Sequence, residues 1–148
     1  MLLSICIPTY NRINQLDNCL NSILISKKNA PNFDFEICIS DNNSQEDTES
    51  IIKKYSKQLT IKFNKNEKNL GFAINGIKTV SMASGEYSWM IGNDDLILPD
   101  TLLKLNDLLK NNLDKDYFFI NSYHLESSYL DKFSTPFNTS NLNFENMK

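Results

Sequence analysis

The sequence has 148 residues, of which 41% are hydrophobic and 22% are charged, proportions typical of a single globular domain. Acidic residues outnumber basic ones by 18 to 15, and the resulting net charge of −3 argues against a nucleic-acid partner. Cys6, Cys19 and Cys38 lack metal-binding spacing, and no apolar stretch reaches the ~18 residues of a membrane span. We therefore expect buried free thiols in a chain without a membrane span, for which peripheral membrane attachment stays open.

Strand and helix patterns alternate from the first residues onward. A nearly continuous apolar run over residues 2–7, closed by a proline, predicts a strand buried on both faces. Apolar residues at helical spacing predict a helix over 13–24, and a second buried strand is predicted over 33–40. Ser44, with Asp47 three residues later, resembles a capping box at the start of a second helix.

The alternation continues through a third strand and a third helix. The short segment 60–63 predicts the strand. The helix carries Ala73, Ile77 and Val80 as its apolar face, and Gly85 stands where a C-terminal cap belongs.

The last part of the pattern contains two further strands. These strands are predicted over 87–91 and 116–120, with a leucine-rich helix between them that opens at Pro99 and Asp100. From residue 121 onward the sequence is rich in Ser, Asn and Tyr and shows no regular pattern. Successive βα units predict an α/β fold, namely a doubly wound, mainly parallel sheet with helices on both faces.

Polar residues follow three of the predicted strands. In parallel sheets ligands bind beyond the carboxyl ends of the strands, where the strand order reverses. The candidates in these loops are Thr9, Tyr10, Arg12, Asp41, Asn43, Asn93, Asp94 and Asp95. Singly, each has an ordinary interpretation, such as a packing aromatic, a turn residue or a helix cap. Together, at the ends of three parallel strands, they favour a binding site.

Asp94 and Asp95 indicate the chemistry of that site. Two adjacent carboxylates repel each other unless a cation or solvent compensates. Hard oxygen ligands without sulfur or imidazole favour Mg²⁺ or Mn²⁺, and these ions usually complete their shell with water and substrate phosphates. The sequence has no P-loop and no G-x-G-x-x-G motif, which argues against a nucleoside triphosphatase or an ordinary dinucleotide enzyme.

A series of short motifs in order resembles the family 2 glycosyltransferases of the GT-A fold. The resemblance extends from residue 2 to about residue 103. Its motifs are Ile-Pro-Thr-Tyr-Asn-Arg ending at Arg12, Asp-Asn-Asn-Ser-Gln-Glu-Asp-Thr beginning at Asp41, Asn-Leu-Gly ending at Gly71 with Asn75 after it, Gly-Glu-Tyr ending at Tyr87, and Asp94-Asp95.

The resemblance implies an inverting glycosyltransferase that moves a sugar from a nucleotide-sugar donor, with UDP favoured, to a glycan or lipid-linked acceptor. It places Pro8 to Arg12 along the nucleotide, Asp41 at the base and Asn75 near the same pocket. Asp94 becomes the expected direct ligand of Mn²⁺ or Mg²⁺, supported by Asn93 or Asp95. The sequence departs from the family at Gly92, where the first aspartate of the metal motif is expected.

The resemblance also implies a boundary near residue 120. Residues 1–120 would form the nucleotide-sugar-binding domain, and 121–148 would begin an incomplete, poorly ordered acceptor-side region of a truncated chain. The catalytic base stays unidentified, because the residues available there, His124, Glu126, Asp131 and Glu145, are better interpreted as ordinary surface side chains. A surface polysaccharide or lipid-linked acceptor implies a cytoplasmic location, at the inner face of the membrane.

Two other functions stay open. A nucleotidyltransferase also binds a nucleotide and a metal on a doubly wound sheet, but it would be expected to show a Gly-rich basic loop after the first strand. A non-catalytic nucleotide-binding or interaction domain is favoured by Gly92 and by the missing acceptor half.

Overall fold

A computed structural model describes residues 1–142. The strands are β1 (Leu3–Thr9), β2 (Phe35–Asp41), β3 (Ile61–Lys65) and β4 (Tyr87–Met90). The helices are α1 (Ile13–Asn29), α2 (Thr48–Tyr55), α3 (Phe72–Ser81), α4 (Thr101–Lys110) and the short α5 (Ser127–Leu130), followed by a 3-10 helix at Thr139–Asn141. All four strands are parallel in the order β3-β2-β1-β4, which confirms the predicted α/β class.

The strand order reverses at β1, which lies between β2 and β4. The β1–β2 register runs from Leu3 opposite Phe35 to Thr9 opposite Asp41, whereas the β1–β4 ladder ends at Cys6 opposite Met90. Pro8 therefore lies inside β1, beyond the end of its ladder with β4, where its missing N–H costs no hydrogen bond. A crevice is expected at this reversal.

The two faces of the sheet differ in chemistry because side chains alternate along each strand. One face carries Leu3, Ile5 and Ile7 with their β2 neighbours, and it packs against α1, α2 and α4 to form the hydrophobic core. The other face carries Ser4, Glu36 and Ser40, together with the buried free thiols of Cys6 and Cys38; the third cysteine, Cys19, is buried on α1.

The orientation of α3 differs from the prediction. Ala73, Ile77 and Val80 are exposed, Ile77 to 71%, while Asn75 and Thr79 are buried against the sheet. The apolar-face prediction is wrong because the sheet face below α3 is polar, so the helix offers it the side chains that can form hydrogen bonds.

The predicted helix ends also need two corrections. Asp47, not Ser44, is the N-cap of α2, and its Oδ1 accepts a hydrogen bond from Ser50 N at 3.2 Å. The C-cap of α3 is Met82. Gly85 instead packs against β1, where a Cβ would lie 2.7 Å from Ser4 N.

The predicted fifth strand over 116–120 is absent from the described part of the chain. Tyr117 and Phe119 are about 80% exposed, and only the intervening Phe118 packs, with its ring edge-on to Tyr87 at 5.6 Å. Alternating apolar residues do not make a strand where no neighbouring strand supplies hydrogen bonds.

Part of the segment after residue 120 is anchored on α1. Phe137 is buried, and its N–H donates to Asn18 Oδ1 at 2.7 Å while its carbonyl accepts from Asn21 Nδ2 at 2.8 Å. Its ring also packs on Phe133, with centroids 4.9 Å apart. Glu145 lies outside the described residues. Among the helices of residues 1–142, none is long and apolar enough to cross a membrane.

Candidate nucleotide-sugar site

The loops after β1 and β4 meet at the point where the strand order reverses. Asn93 Nδ2 donates to Thr9 Oγ1 at 2.8 Å, and both residues are buried. Arg12 Nη1 lies 2.7 Å from Asp94 Oδ2. These two contacts join segments more than 80 residues apart in sequence and place four of the predicted site residues on one crevice.

The Arg12–Asp94 ion pair is the accessible part of this crevice. The two side chains are 52% and 55% exposed. An exposed ion pair contributes at most about 1 kcal/mol to stability. Either side chain can therefore leave the pair and bind another charged group at little cost in free energy. A guanidinium and a carboxylate at the carboxyl end of a parallel sheet could bind a phosphate and a cation, respectively.

Gly92 allows the carboxylates of the next loop to fold back closely. Asp95 Oδ2 accepts a hydrogen bond from Gly92 N at 2.6 Å. A Cβ at Gly92 would lie 2.6 Å from Asp94 Oδ1 and 3.2 Å from Asp95 Oδ2. A side chain at Gly92, the residue that departs from the family motif, would therefore displace the carboxylates of Asp94 and Asp95.

The carboxylates fit a cation that takes most of its ligands from elsewhere. The described residues contain no cluster of three His, Cys, Asp or Glu side chains that could hold a metal. Asp94 and Asp95 are both exposed at the crevice, and Mg²⁺ or Mn²⁺ commonly uses one or two protein carboxylates plus water and phosphate. Asp94 and Asp95 would hold such an ion.

Asp41, at the end of β2, is a fully buried carboxylate with one free oxygen. Its Oδ1 accepts hydrogen bonds from Ser44 N at 3.0 Å and from Ser44 Oγ at 2.5 Å. Its Oδ2 is buried and accepts none from the part of the chain that the structure describes. Leaving a buried carboxylate oxygen unpaired costs free energy, so the residue is suited to a ligand that brings a donor.

The loops after β1 and β2 are tied together. Asn11, with a φ of 48°, donates its N–H to Ser44 Oγ at 2.9 Å and accepts from Gln45 N at 2.8 Å. Glu46 Oε2 accepts from Ile13 N at 2.8 Å at the start of α1. Asn tolerates a left-handed conformation better than most residues, which explains its place at this turn.

The sequence pattern does not predict these hydrogen bonds. It indicates a helix cap at Ser44 and gives Asn11 and Glu46 no separate role. Their partners lie 33 or 34 residues away, and no local pattern links them.

Tyr10, Asn43 and Asn75 occupy different surroundings. Tyr10 is exposed beside Arg12, and Asn43 adopts a φ of 69° in the turn after Asp41. Asn75 is buried behind β2, where its Nδ2 donates to the Ser40 carbonyl at 2.9 Å and its Oδ1 accepts from Ser40 Oγ at 2.8 Å. The structure does not bring Asn75 into the open crevice.

A cleft of about 1020 Å³ adjoins the crevice. Its lining includes Arg12, Asp94 and Asp95 and residues of the segment after residue 120. Two of the acids expected to be ordinary surface residues, Glu126 and Asp131, also line the cleft and are exposed.

A parallel sheet whose polar loops converge where the strand order reverses defines an α/β domain of the nucleotide-binding type. The chain belongs to the family 2 glycosyltransferases, since the family model described as Glycosyl transferase family 2 matches residues 4–146. This confirms the resemblance seen in the sequence motifs.

Relatives of known name support the same assignment. The abequosyltransferase RfbV of Salmonella typhimurium is 42% identical over 116 residues, which are 77% of this chain and 34% of that protein. The crystal structure of residues 1–349 of Staphylococcus aureus TarS matches with a TM-score of 0.68 at 26% identity, covering 76% of this chain and 33% of that one. The fold is therefore of the GT-A type.

A more distant structure shows the same fold. The mannosyltransferase PcManGT of Pyrobaculum calidifontis, solved with GDP-Man and Mn²⁺, matches with a TM-score of 0.61 at 20% identity, over 72% of this chain and 32% of that one. The chain thus spans about a third of the length of the proteins that it resembles.

Proposed function

We propose that this chain binds the donor of a glycosyltransferase reaction, a nucleotide-diphosphate sugar. The observation that carries the proposal is the convergence of the Arg12–Asp94 pair and the buried Asp41 at the carboxyl ends of adjacent parallel strands. Arg12 and Asp94 offer charges for a diphosphate, and the unpaired Oδ2 of Asp41 offers a hydrogen-bond acceptor for a base. Tyr10, exposed two residues before Arg12, would lie along the nucleotide with Pro8, Thr9 and Asn43.

The diphosphate would bind beside Arg12 and Asp94. A divalent cation, Mn²⁺ or Mg²⁺, would supply Lewis-acid stabilisation of the departing nucleoside diphosphate. Asp94 would bind the cation with support from Asp95, while Asn93, tied to Thr9, fixes the loop. Arg12, released from Asp94, would meet the phosphate charge.

Asp41 would recognise the base, and UDP is the nucleotide that we favour. Uracil carries an imide N–H that a carboxylate can accept, and cytosine lacks a donor at that ring position. TarS has been solved with UDP and with UDP-GlcNAc, which supports the same choice by analogy. Because Asp41 is fully buried, a base can reach Oδ2 only when the surrounding loops move apart.

The complete reaction would be an inverting transfer to a glycan or lipid-linked acceptor, as in the biosynthesis of a surface polysaccharide. The acceptor hydroxyl would displace the nucleotide directly, with a carboxylate taking its proton. No residue is assigned to that role. A lipid-linked acceptor would place the protein in the cytoplasm at the inner face of the membrane.

Calorimetry with UDP tests this proposal. We expect Mn²⁺ to strengthen UDP binding, and Asp94→Ala to lower the affinity in Mn²⁺ by roughly tenfold or more, because a charged contact is worth about 1.5–3 kcal/mol. Asp114→Ala is the matched control, since that exposed aspartate pairs with Lys115 away from the crevice.

Two results would contradict the proposal. If UDP affinity is the same with and without Mn²⁺, and with and without Asp94, the proposed metal site is wrong. That result would favour a non-catalytic nucleotide-binding domain. If UDP, GDP and CDP all fail to bind, the proposed donor site is contradicted as a whole.

A further inference from the structure

Ser44 contacts the candidate base-binding carboxylate and the neighbouring loop at once. Its hydroxyl donates to Asp41 Oδ1 at 2.5 Å and accepts from Asn11 N at 2.9 Å, and its own N–H donates to the same Asp41 oxygen at 3.0 Å. Ser44 is itself buried, so these bonds do not compete with water.

The two hydrogen bonds that Ser44 donates make the two oxygens of Asp41 unequal. Oδ1 accepts two donors from the protein, whereas Oδ2 has none among the described residues. A carboxylate held by one oxygen cannot rotate freely, so its second oxygen keeps one direction. The Asn11 contact also fixes that direction relative to the loop that carries Arg12.

We propose that Ser44 is a positioning residue that sets the base preference of the site. It holds Oδ1 of Asp41 so that Oδ2 alone meets the ring N–H of uracil. This inference rests on the proposed function, because it needs Asp41 to contact the base. Without the Ser44 hydroxyl, only the Ser44 N–H holds Oδ1 of Asp41, so Oδ2 is aimed less well at the ring N–H and the distinction between uracil and cytosine weakens.

The test compares the dissociation constants of UDP and CDP for the 148-residue chain in Mn²⁺. Loss of one net hydrogen bond corresponds to a change of roughly 3- to 10-fold, so Ser44→Ala should lower UDP affinity by that factor and change CDP affinity little. Ser50→Ala is the matched control, because that exposed hydroxyl donates only to the Asp47 carbonyl nearby. Ser44→Thr keeps the hydroxyl and should keep the preference for UDP.

The outcomes separate this inference from the proposed function. If the unaltered chain binds UDP and CDP equally, base recognition by Asp41 fails and the inference fails with it. If Asp41→Asn removes the UDP preference but Ser44→Ala retains it, only the inference is overturned. An equal loss of UDP and CDP affinity in Ser44→Ala would also overturn it, because that result indicates a general structural role.

A second variant covers the event that Ser44→Ala does not fold. Ser44→Cys keeps a similar volume and replaces the hydroxyl with a weak thiol donor, so it carries the same expectation. Failure of both variants to fold, judged by circular dichroism, would make Ser44 a folding residue and overturn the proposal.

Discussion

At the scale of single residues, the absence of a side chain at Gly92 shapes the loop after β4. Its N–H is bound by Asp95, and its missing Cβ leaves space for the Asp94 carboxylate. The two carboxylates that follow Gly92 therefore lie close to its backbone.

Gly92→Ala should weaken metal-dependent binding without unfolding the protein. The new Cβ would push aside Asp94 Oδ1 and Asp95 Oδ2, which are ends of exposed side chains that can move. We expect UDP affinity in Mn²⁺ to fall by roughly 3- to 10-fold, the equivalent of one hydrogen bond, with little change in melting temperature. Titration with UDP, with and without Mn²⁺, measures the effect, and an unchanged metal dependence would argue against Asp94 and Asp95 as ligands.

At the scale of elements, the polar face of the sheet is organised around Glu36 on β2. Its Oε1 accepts from Ser4 Oγ on β1 at 2.8 Å and from Ser84 N at 2.7 Å, and its Oε2 lies 2.9 Å from Lys62 Nζ on β3. One buried carboxylate thus links three neighbouring strands to the turn before β4.

Glu36 should make stability depend on acid pH. Burial favours its neutral form, but the hydrogen bonds from Lys62, Ser84 and Ser4 outweigh burial and lower the pKa of the carboxyl below 4.5. A lowered folded-state pKa means that the stabilisation is fully present above about pH 4.5 and is lost as pH falls through the lower value.

Glu36→Gln should therefore lower the free energy of unfolding near neutral pH by about 2 kcal/mol. Below pH 4.5, the free energy of unfolding of this variant should fall less steeply with decreasing pH than that of the unaltered chain. Urea unfolding at several pH values measures both effects. Glu49→Gln, on the exposed side of α2, is the control and should change neither. The same pH profile for Glu36→Gln and the unaltered chain would show that another group carries the acid dependence.

Two glycines near the same face should respond oppositely to alanine. At Gly85 a Cβ would lie 2.7 Å from Ser4 N and 2.8 Å from Leu3 C, which are backbone atoms that cannot yield easily. At Gly76, inside α3, the nearest atom is Met90 Sδ at 3.6 Å. We expect Gly85→Ala to destabilise by about 1–3 kcal/mol and Gly76→Ala to stabilise by about 0.5–1 kcal/mol, measured by thermal unfolding. Equal effects would contradict the packing of Gly85 on β1.

At the scale of the whole molecule, donor binding and sugar transfer should separate. The sheet, its helices and the crevice are formed by residues up to α4, while the exposed Glu126 and Asp131 line the adjoining cleft. We expect the 148-residue chain to bind UDP but to transfer sugar at most feebly. A general base raises the reaction rate by ~10²- to 10⁴-fold, and positioning of the acceptor raises the rate further.

UDP release from UDP-GlcNAc, with and without glycan acceptors, measures that transfer. Robust acceptor-dependent release that is lost in Glu126→Gln, in Asp131→Asn or on substitution of Glu145 would show that the base lies in this segment. Release unchanged by acceptor would indicate hydrolysis alone and would agree with the expectation.

The sequence alone determined the class of the fold and most of its elements. The nearly continuous apolar run of β1 and the apolar residues at alternate positions of β2 indicate buried strands, and the leucine spacing of α4 indicates the face that it buries. These signals are local, so they can be interpreted without knowing the neighbours. The polar loops after β1, β2 and β4 could be proposed as one site for the same reason, since parallel topology alone brings their ends together.

Tertiary structure alone decided the orientation of α3, the absence of a strand over 116–120 in the described chain, and the contacts of Ser44. Each depends on a partner distant in sequence: a polar sheet face below α3, a missing neighbour beside β4, and an Asn11 backbone N–H 33 residues away. A hydrophobic pattern records which side chains could be buried, but the surface that each one meets determines which of them are.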